Sequence, residues 1–192
     1  MKRVVFCSVI ALIFGNAASA ATVIDRFTGG DPGEGLDMQG NFVYAIDIGT
    51  NAVGGQVVGD AVFTDQNVAG VTVGGADLRA ESGWPVFGDS ANDDALESVI
   101  LNGHWAGGES SITVDLDVEE NQAYVLQLLH SEGWNASAAG NRVLDVSVEG
   151  QAIAPQFDPT AVTGPQTLDR TVNNPPLYPE TDFVDSGAVI RY

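Results

Sequence analysis

Residues 124–158 read YVLQLLHSEGWNASAAGNRVLDVSVEGQAIAPQFD, and their alternation decides the fold class. Tyr124, Leu126 and Leu128 recur at every second position, as do Leu144, Val146 and Val148 against Asp145, Ser147 and Glu149. A period of two puts one side of each segment in a core and the other in water. The two segments are expected to form the arms of a β-hairpin. The link between them, 131–140, is longer than the about 2–5 residues of a tight hairpin, and an excursion of that length carrying Trp134 is expected to build a site.

The same pattern recurs outward from this stretch. Phe42, Tyr44, Ile46 and Ile48 alternate, Ile112, Val114, Leu116 and Val118 alternate against Thr113, Asp115, Asp117 and Glu119, and 68–73 repeats the motif more weakly. Glycine and Asp/Asn clusters such as Gly54-Gly55, Gly74-Gly75 and Gly107-Gly108 separate these runs, as turns do. Short strands between frequent turns predict an all-β chain, a jelly-roll-like antiparallel β-sandwich. Residues 92–100 alone suit a short helix or an irregular strand: Asn92 can cap, Asp93 and Asp94 favour a first turn, and Ala95, Leu96, Val99 and Ile100 share a face. Six of the eight prolines fall in 155–181, which is expected to be a surface loop before an apolar strand at Ala188-Val189-Ile190.

The chain has 192 residues and 44% hydrophobic composition, enough for one domain with an ordinary core. Residues 1–20 form a separate object: Lys2 and Arg3, an apolar run over 4–14, then Ala18-Ser19-Ala20. That is the pattern of a secretory signal peptide, and its apolar run is shorter than the about 20 residues needed to span a bilayer. Residues 21–192 are therefore expected as one exported, soluble domain, extracellular, at the cell surface or periplasmic. Cys7, the only cysteine, lies within the leader, so neither a disulfide nor a thiol serves the domain. The formal net charge is -19, and without Lys2 and Arg3 of the leader the only cations left are Arg26, Arg79, Arg142, Arg170 and Arg191. Such a field repels nucleic acid and anionic lipid, and no segment is suited to membrane insertion.

Catalytic signatures do not emerge. His104 and His130 are not spaced as metal ligands on one element, and no nucleophile elbow or phosphate-cradling glycine loop is present. His130, at a strand end, reads as a rim residue. Acidic pairs such as Asp93-Asp94 could serve a glycosidase, but 26 acids make coincidental pairs common. No calcium-loop pattern with its glycine and terminal glutamate occurs, so no cofactor is expected; Asp-rich 89–94 could still bind Ca²⁺. The aromatics are more informative. Trp84 and Trp134 each follow a glycine, and Trp105 lies between Gly103 and Gly107. Tryptophan offers a flat face to the C–H side of a sugar ring, and neighbouring Glu132, Asn135 or Asp65 can bind its hydroxyls. The alternative is that these rings are buried lids over the ends of the sandwich.

The order of these motifs resembles the malectin-like carbohydrate-binding family over 41–158. Val43-Tyr44-Ala45-Ile46-Asp47-Ile48-Gly49 looks like its opening strand and turn, Phe63-Thr64-Asp65 like its first aromatic loop, and Leu101-Asn102-Gly103-His104-Trp105 like its aromatic-ended segment. Residues 124–132 followed by 142–150 resemble its strongest signature. The resemblance implies a jelly-roll-like sandwich holding oligosaccharide or polysaccharide between loop aromatics, without catalysis. By position it places Trp134 and Asn135 on the family's adjacent aromatic pair and Phe63 on a ligand-facing tyrosine. Ile100 falls on another tyrosine, with Trp105 near enough to substitute, and a late acidic ligand and the last strands are expected beyond Tyr192. The expected carbohydrate site is thus Phe63, Asp65, Trp105, Glu132, Trp134 and Asn135. The alternative is a structural or adhesive surface protein whose acidic faces bind divalent cations.

Overall fold

Tyr124–His130 and Leu144–Val148 are both strands, but they belong to different sheets. A computed structural model describes residues 5–7, 9–14, 21–49, 52, 54–75, 79–82, 86–100, 102–106, 111–131, 143–163 and 186–192. Its strands are β1 (Val5–Cys7), β2 (Val9–Phe14), β3 (Val23–Phe27), β4 (Phe42–Asp47), β5 (Val57–Val58), β6 (Ala61–Val62), β7 (Thr64–Asp65) and β8 (Val71–Gly75). They continue with β9 (Arg79–Ser82), β10 (Asn102–Ala106), β11 (Ile112–Leu116), β12 (Tyr124–His130), β13 (Leu144–Val148), β14 (Gln151–Phe157) and β15 (Gly187–Arg191). Two helices, α1 (Ala91–Ile100) and α2 (Pro159–Thr163), complete the described elements.

The main sheet has the order β3-β15-β12-β2-β4-β7, antiparallel except for the short parallel pair β4–β7. Its alternate residues enter two cores. Leu129, Val189 and Ala45 face α1 and the β5–β6 hairpin, together with Phe27, Phe63, Leu96 and Val99. Leu128, Ala188, Ile190 and Ile46 face the pairs β8–β11 and β13–β14, together with Leu144, Val146, Ile153 and Phe157. The architecture is an all-β antiparallel sandwich with a helix on its second face. Burial on both faces explains why YVLQLLH is almost uninterruptedly apolar, where a strand wetted on one side would alternate. It also corrects His130: the residue is 2% exposed, with its ring 5.2 Å from that of Phe157, and so lies in the core rather than on a rim.

The hairpin expected between β12 and β13 is replaced by one between β13 and β14. Val148 pairs with Gln151 across Glu149 and Gly150, whose φ values of 50° and 79° are the two positive angles a tight I′-type turn demands. Leu144 then pairs with Phe157 and Val146 with Ala154, so Pro155 and Gln156 together oppose Asp145. This is a β-bulge. It accommodates a proline that has no N–H to give, and the Asp145 carboxylate accepts from the Gln156 backbone N–H at 2.8 Å. The expected surface loop over 155–181 accordingly starts as strand and helix up to Thr163, and 164–185 lies outside the described residues.

α1 is a helix capped by Ser90, not Asn92. The Asp93 N–H donates to Ser90 Oγ at 3.1 Å while the Ser90 N–H donates to Asp93 Oδ2 at 3.3 Å, a reciprocal box that satisfies two otherwise orphaned donors. Ala95, Leu96, Val99 and Ile100 form its buried face, at helical spacing. The apolar run expected in a removable leader also takes part in the sheet: β2 lies between β12 and β4, with Ala11 fully buried.

Candidate functional site

β4 runs with its outer edge only partly covered. β7 pairs with it at Ile46 and Asp47 alone, so among the described residues no strand covers the outer backbone edge of 42–45. A cleft of about 370 Å³ follows that edge, floored by Phe42, Val43, Tyr44 and Ala45 and walled by Asn41, Asp60, Val62, Thr64 and Val68. This volume lies within the roughly 300–1,000 Å³ of small-molecule sites.

A register shift shapes the floor. Ile13 pairs with Phe42 but Leu12 pairs with Tyr44, which leaves Val43 as an extra residue on β4. The bulge turns Phe42 to the α1 side, against the first core, while Tyr44 packs with Ile46 on the other. The expectation that Phe42, Tyr44, Ile46 and Ile48 share one face therefore holds for the last three only. The two aromatics stand as lips on opposite faces of one open edge. Tyr44 is fixed by its hydroxyl, which donates to the Asp117 carbonyl at 2.8 Å, and Gly70 passes so close beneath that a side chain there would strike the phenol. At the other end the Gly40 N–H donates to Asp60 Oδ2 at 2.9 Å, and Thr64 Oγ1 donates to the Ala45 carbonyl at 3.3 Å.

The expected site residues divide differently. Phe63 is 0% exposed and belongs to the first core, so it offers no ring face to a ligand. Its neighbours Val62 and Thr64, of the opposite parity, line the cleft instead. Asp65 is half-buried, and its Oδ1 accepts from the Asn67 N–H at 2.7 Å, closing an Asx turn after β7. Trp105 lies on β10, with backbone partners Phe6 and Arg79. Ile100 is buried at the end of α1. Glu132, Trp134 and Asn135 lie outside the described residues.

A second cluster sits at the start of α1. Carboxylate oxygens of Asp31, Glu34 and Asp93 lie within 4.8 Å of one another, a donor set suited to a hard cation. Each also has a structural partner: Asp93 Oδ1 accepts from the Gly30 N–H at 2.9 Å, Glu34 Oε2 from the Asp31 N–H at 2.8 Å, and Asp31 Oδ1 from Asn92 Nδ2 at 2.7 Å. The helix N-terminus adds compensating partial positive charge. Of the acidic stretch 89–94 only Asp93 joins this cluster, and its partners come from far upstream, so local spacing held no sign of it.

Compared with known protein families, curated proteins and solved structures, the chain matches none. Among the described residues no helix is long and apolar enough to cross a membrane.

Proposed function

We propose that this protein is an exported, non-catalytic carbohydrate-binding module of the malectin-like kind, and that the cleft along β4 is a sugar subsite. The observation that carries this reading is the union, around one open sheet edge, of aromatic Phe42 and Tyr44 with the polar side chains of Asn41, Asp60 and Thr64. Pyranose rings need an apolar face and convergent hydroxyl partners, and this edge offers both. The Trp134 loop with Glu132 and Asn135 is a second contact region on the family resemblance. The strong negative charge agrees with a neutral ligand rather than nucleic acid.

Glycan-array screening followed by calorimetry tests it. Asn41→Ala and Asp60→Ala should each weaken binding about tenfold, as loss of a ligand hydrogen bond does. Trp134→Ala measures the loop separately. Absence of any glycan ligand, or binding indifferent to all three substitutions, would sink the proposal.

The Asp31, Glu34 and Asp93 cluster favours a second reading, a structural or adhesive surface protein with cation-binding acidic faces. On that reading Ca²⁺ at about 100 times its Kd stabilises the fold by about 2.7 kcal/mol, no glycan does, and Asp31→Asn removes the effect.

A further inference from the structure

β2 sits in the middle of the main sheet with both backbone edges in use. Its residues pair with β12 from Tyr124↔Phe14 to Leu129↔Val9, and with β4 from Phe42↔Ile13 to Asp47↔Val9. The same residues are the apolar part of the leader-like segment between Lys2-Arg3 and Ala18-Ser19-Ala20. Cleavage after Ala20 would cut this strand from the chain.

Its loss would leave β12 and β4 facing each other across two strand spacings, about 9–10 Å, which is the room one strand needs. Both walls would present unpaired N–H and C=O groups. Leu128 and Ile46 on one face, and Leu129 and Ala45 on the other, would border the opening with side chains now buried. An empty slot of this kind is unstable, because buried backbone groups need partners. A strand joined to Tyr192 by a tight hairpin would run antiparallel to β15, whereas the slot takes a strand parallel to β15, since both are antiparallel to β12.

We propose that the slot between β12 and β4 is an acceptor site for an extended apolar strand of about six residues, presented by another polypeptide, which replaces Val9–Phe14 once the leader is removed. This inference rests on the export reading. The seated strand specifies its successor: large apolar residues flanking a small one at the third position, where Ala11 is fully buried between Gln127 and Ala45.

The test uses the full chain with a specific protease site placed at 18–20. The folded protein is nicked there, loosened in urea and diluted with an excess of a labelled synthetic peptide of residues 5–14 carrying a lysine tail. One peptide per chain should be incorporated, restoring the melting temperature of the intact chain. Peptides with Ala11→Pro or Ala11→Trp should enter at least about tenfold less well, the first lacking a ladder donor and the second overfilling the site. Collapse of the nicked chain that the peptide reverses also supports the proposal. It is overturned if the nicked chain loses its leader with no change in melting temperature and takes up no peptide, or if peptide fails to restore a chain that refolds when intact. Dimerisation of the nicked chain without peptide would assign the slot to a second copy and equally overturn it. Mass spectrometry of the exported protein reports separately on the leader: retention of residues 1–20 defeats the export reading, while peptide exchange still measures the slot.

Discussion

Phe27 and Gly187 are cross-strand partners on β3 and β15, and the fully buried phenyl ring fills the space that a side chain at 187 would need. The glycine gives the ring a flat backbone to lie on, and the ring covers a stretch of sheet that would otherwise lack a side chain. Phe87 packs on the same ring at 5.4 Å, joining this pair to the first core.

Gly187→Ala should therefore destabilise the protein by about 1–3 kcal/mol through overpacking, and Phe27→Ala by about 3–5 kcal/mol through the cavity it leaves. At this chain length each kcal/mol lowers Tm by about 2–4 °C. The double variant Gly187→Ala with Phe27→Leu should cost less than the sum of its parts, measured by urea denaturation as a coupling of about 0.5 kcal/mol or more.

Gln127, fully buried on β12, holds both backbone groups of Asp37: its Oε1 accepts from the Asp37 N–H at 3.2 Å and its Nε2 donates to the Asp37 carbonyl at 2.6 Å. Arg191 Nε donates to the same Oε1 at 3.3 Å, so one amide ties the segment after β3 to the sheet. Gln127→Leu keeps the volume and removes the partners. It should cost about 1–3 kcal/mol and raise amide exchange at Asp37.

Glu149 occupies a left-handed position in the β13–β14 turn at φ 50°, where Asn is preferred. Glu149→Asn should stabilise the chain by about 0.5–1 kcal/mol, detected as a higher Tm with unchanged ligand binding. An unchanged or lower Tm would count against the turn as described.

Phe63 and Thr64 separate packing from recognition. Phe63→Ala should cost about 3–5 kcal/mol of stability, since its ring is wholly buried. Thr64→Ala should cost about 1 kcal/mol by losing its bond to the Ala45 carbonyl, yet weaken glycan binding about tenfold. If Phe63→Leu abolishes binding in a protein that still melts cooperatively, while Thr64→Ala leaves binding intact, the cleft is not the site.

Alternation located β11 and β13, because a strand's two faces differ in solvent and the difference is written at every second residue; β12, buried on both faces over 127–130, was legible as a strand from its apolar run instead. Ala95, Leu96, Val99 and Ile100 marked one helical face, but the sequence left a short helix and an irregular strand both open, and the structure decides for the helix α1. Partner choice was not legible in the same way. β12 and β13 are near in sequence and both read as strands, yet backbone hydrogen bonds are identical at every position, so nothing local says that β12 joins β15 and β2 while β13 joins β14. The parity at Phe63 and Thr64 was not legible for a related reason: both residues suit a strand, and only the core that Phe63 enters decides which one turns outward. The cluster of Asp31, Glu34 and Asp93 and the clip between Gln127 and Asp37 likewise join distant parts of the chain.

What the amino-acid sequence determined by itself is therefore the class of the protein: an acidic, nearly cysteine-free, all-β chain with an apolar leader-like start, each property following from composition and period. Only the tertiary structure decided that the leader-like segment lies at the centre of the sheet, that Phe42 and Tyr44 flank an open edge, and that Phe63 is core. These outcomes depend on which strands meet, and strand pairing is settled by the shared burial of side chains far apart in the chain rather than by any residue's own preference.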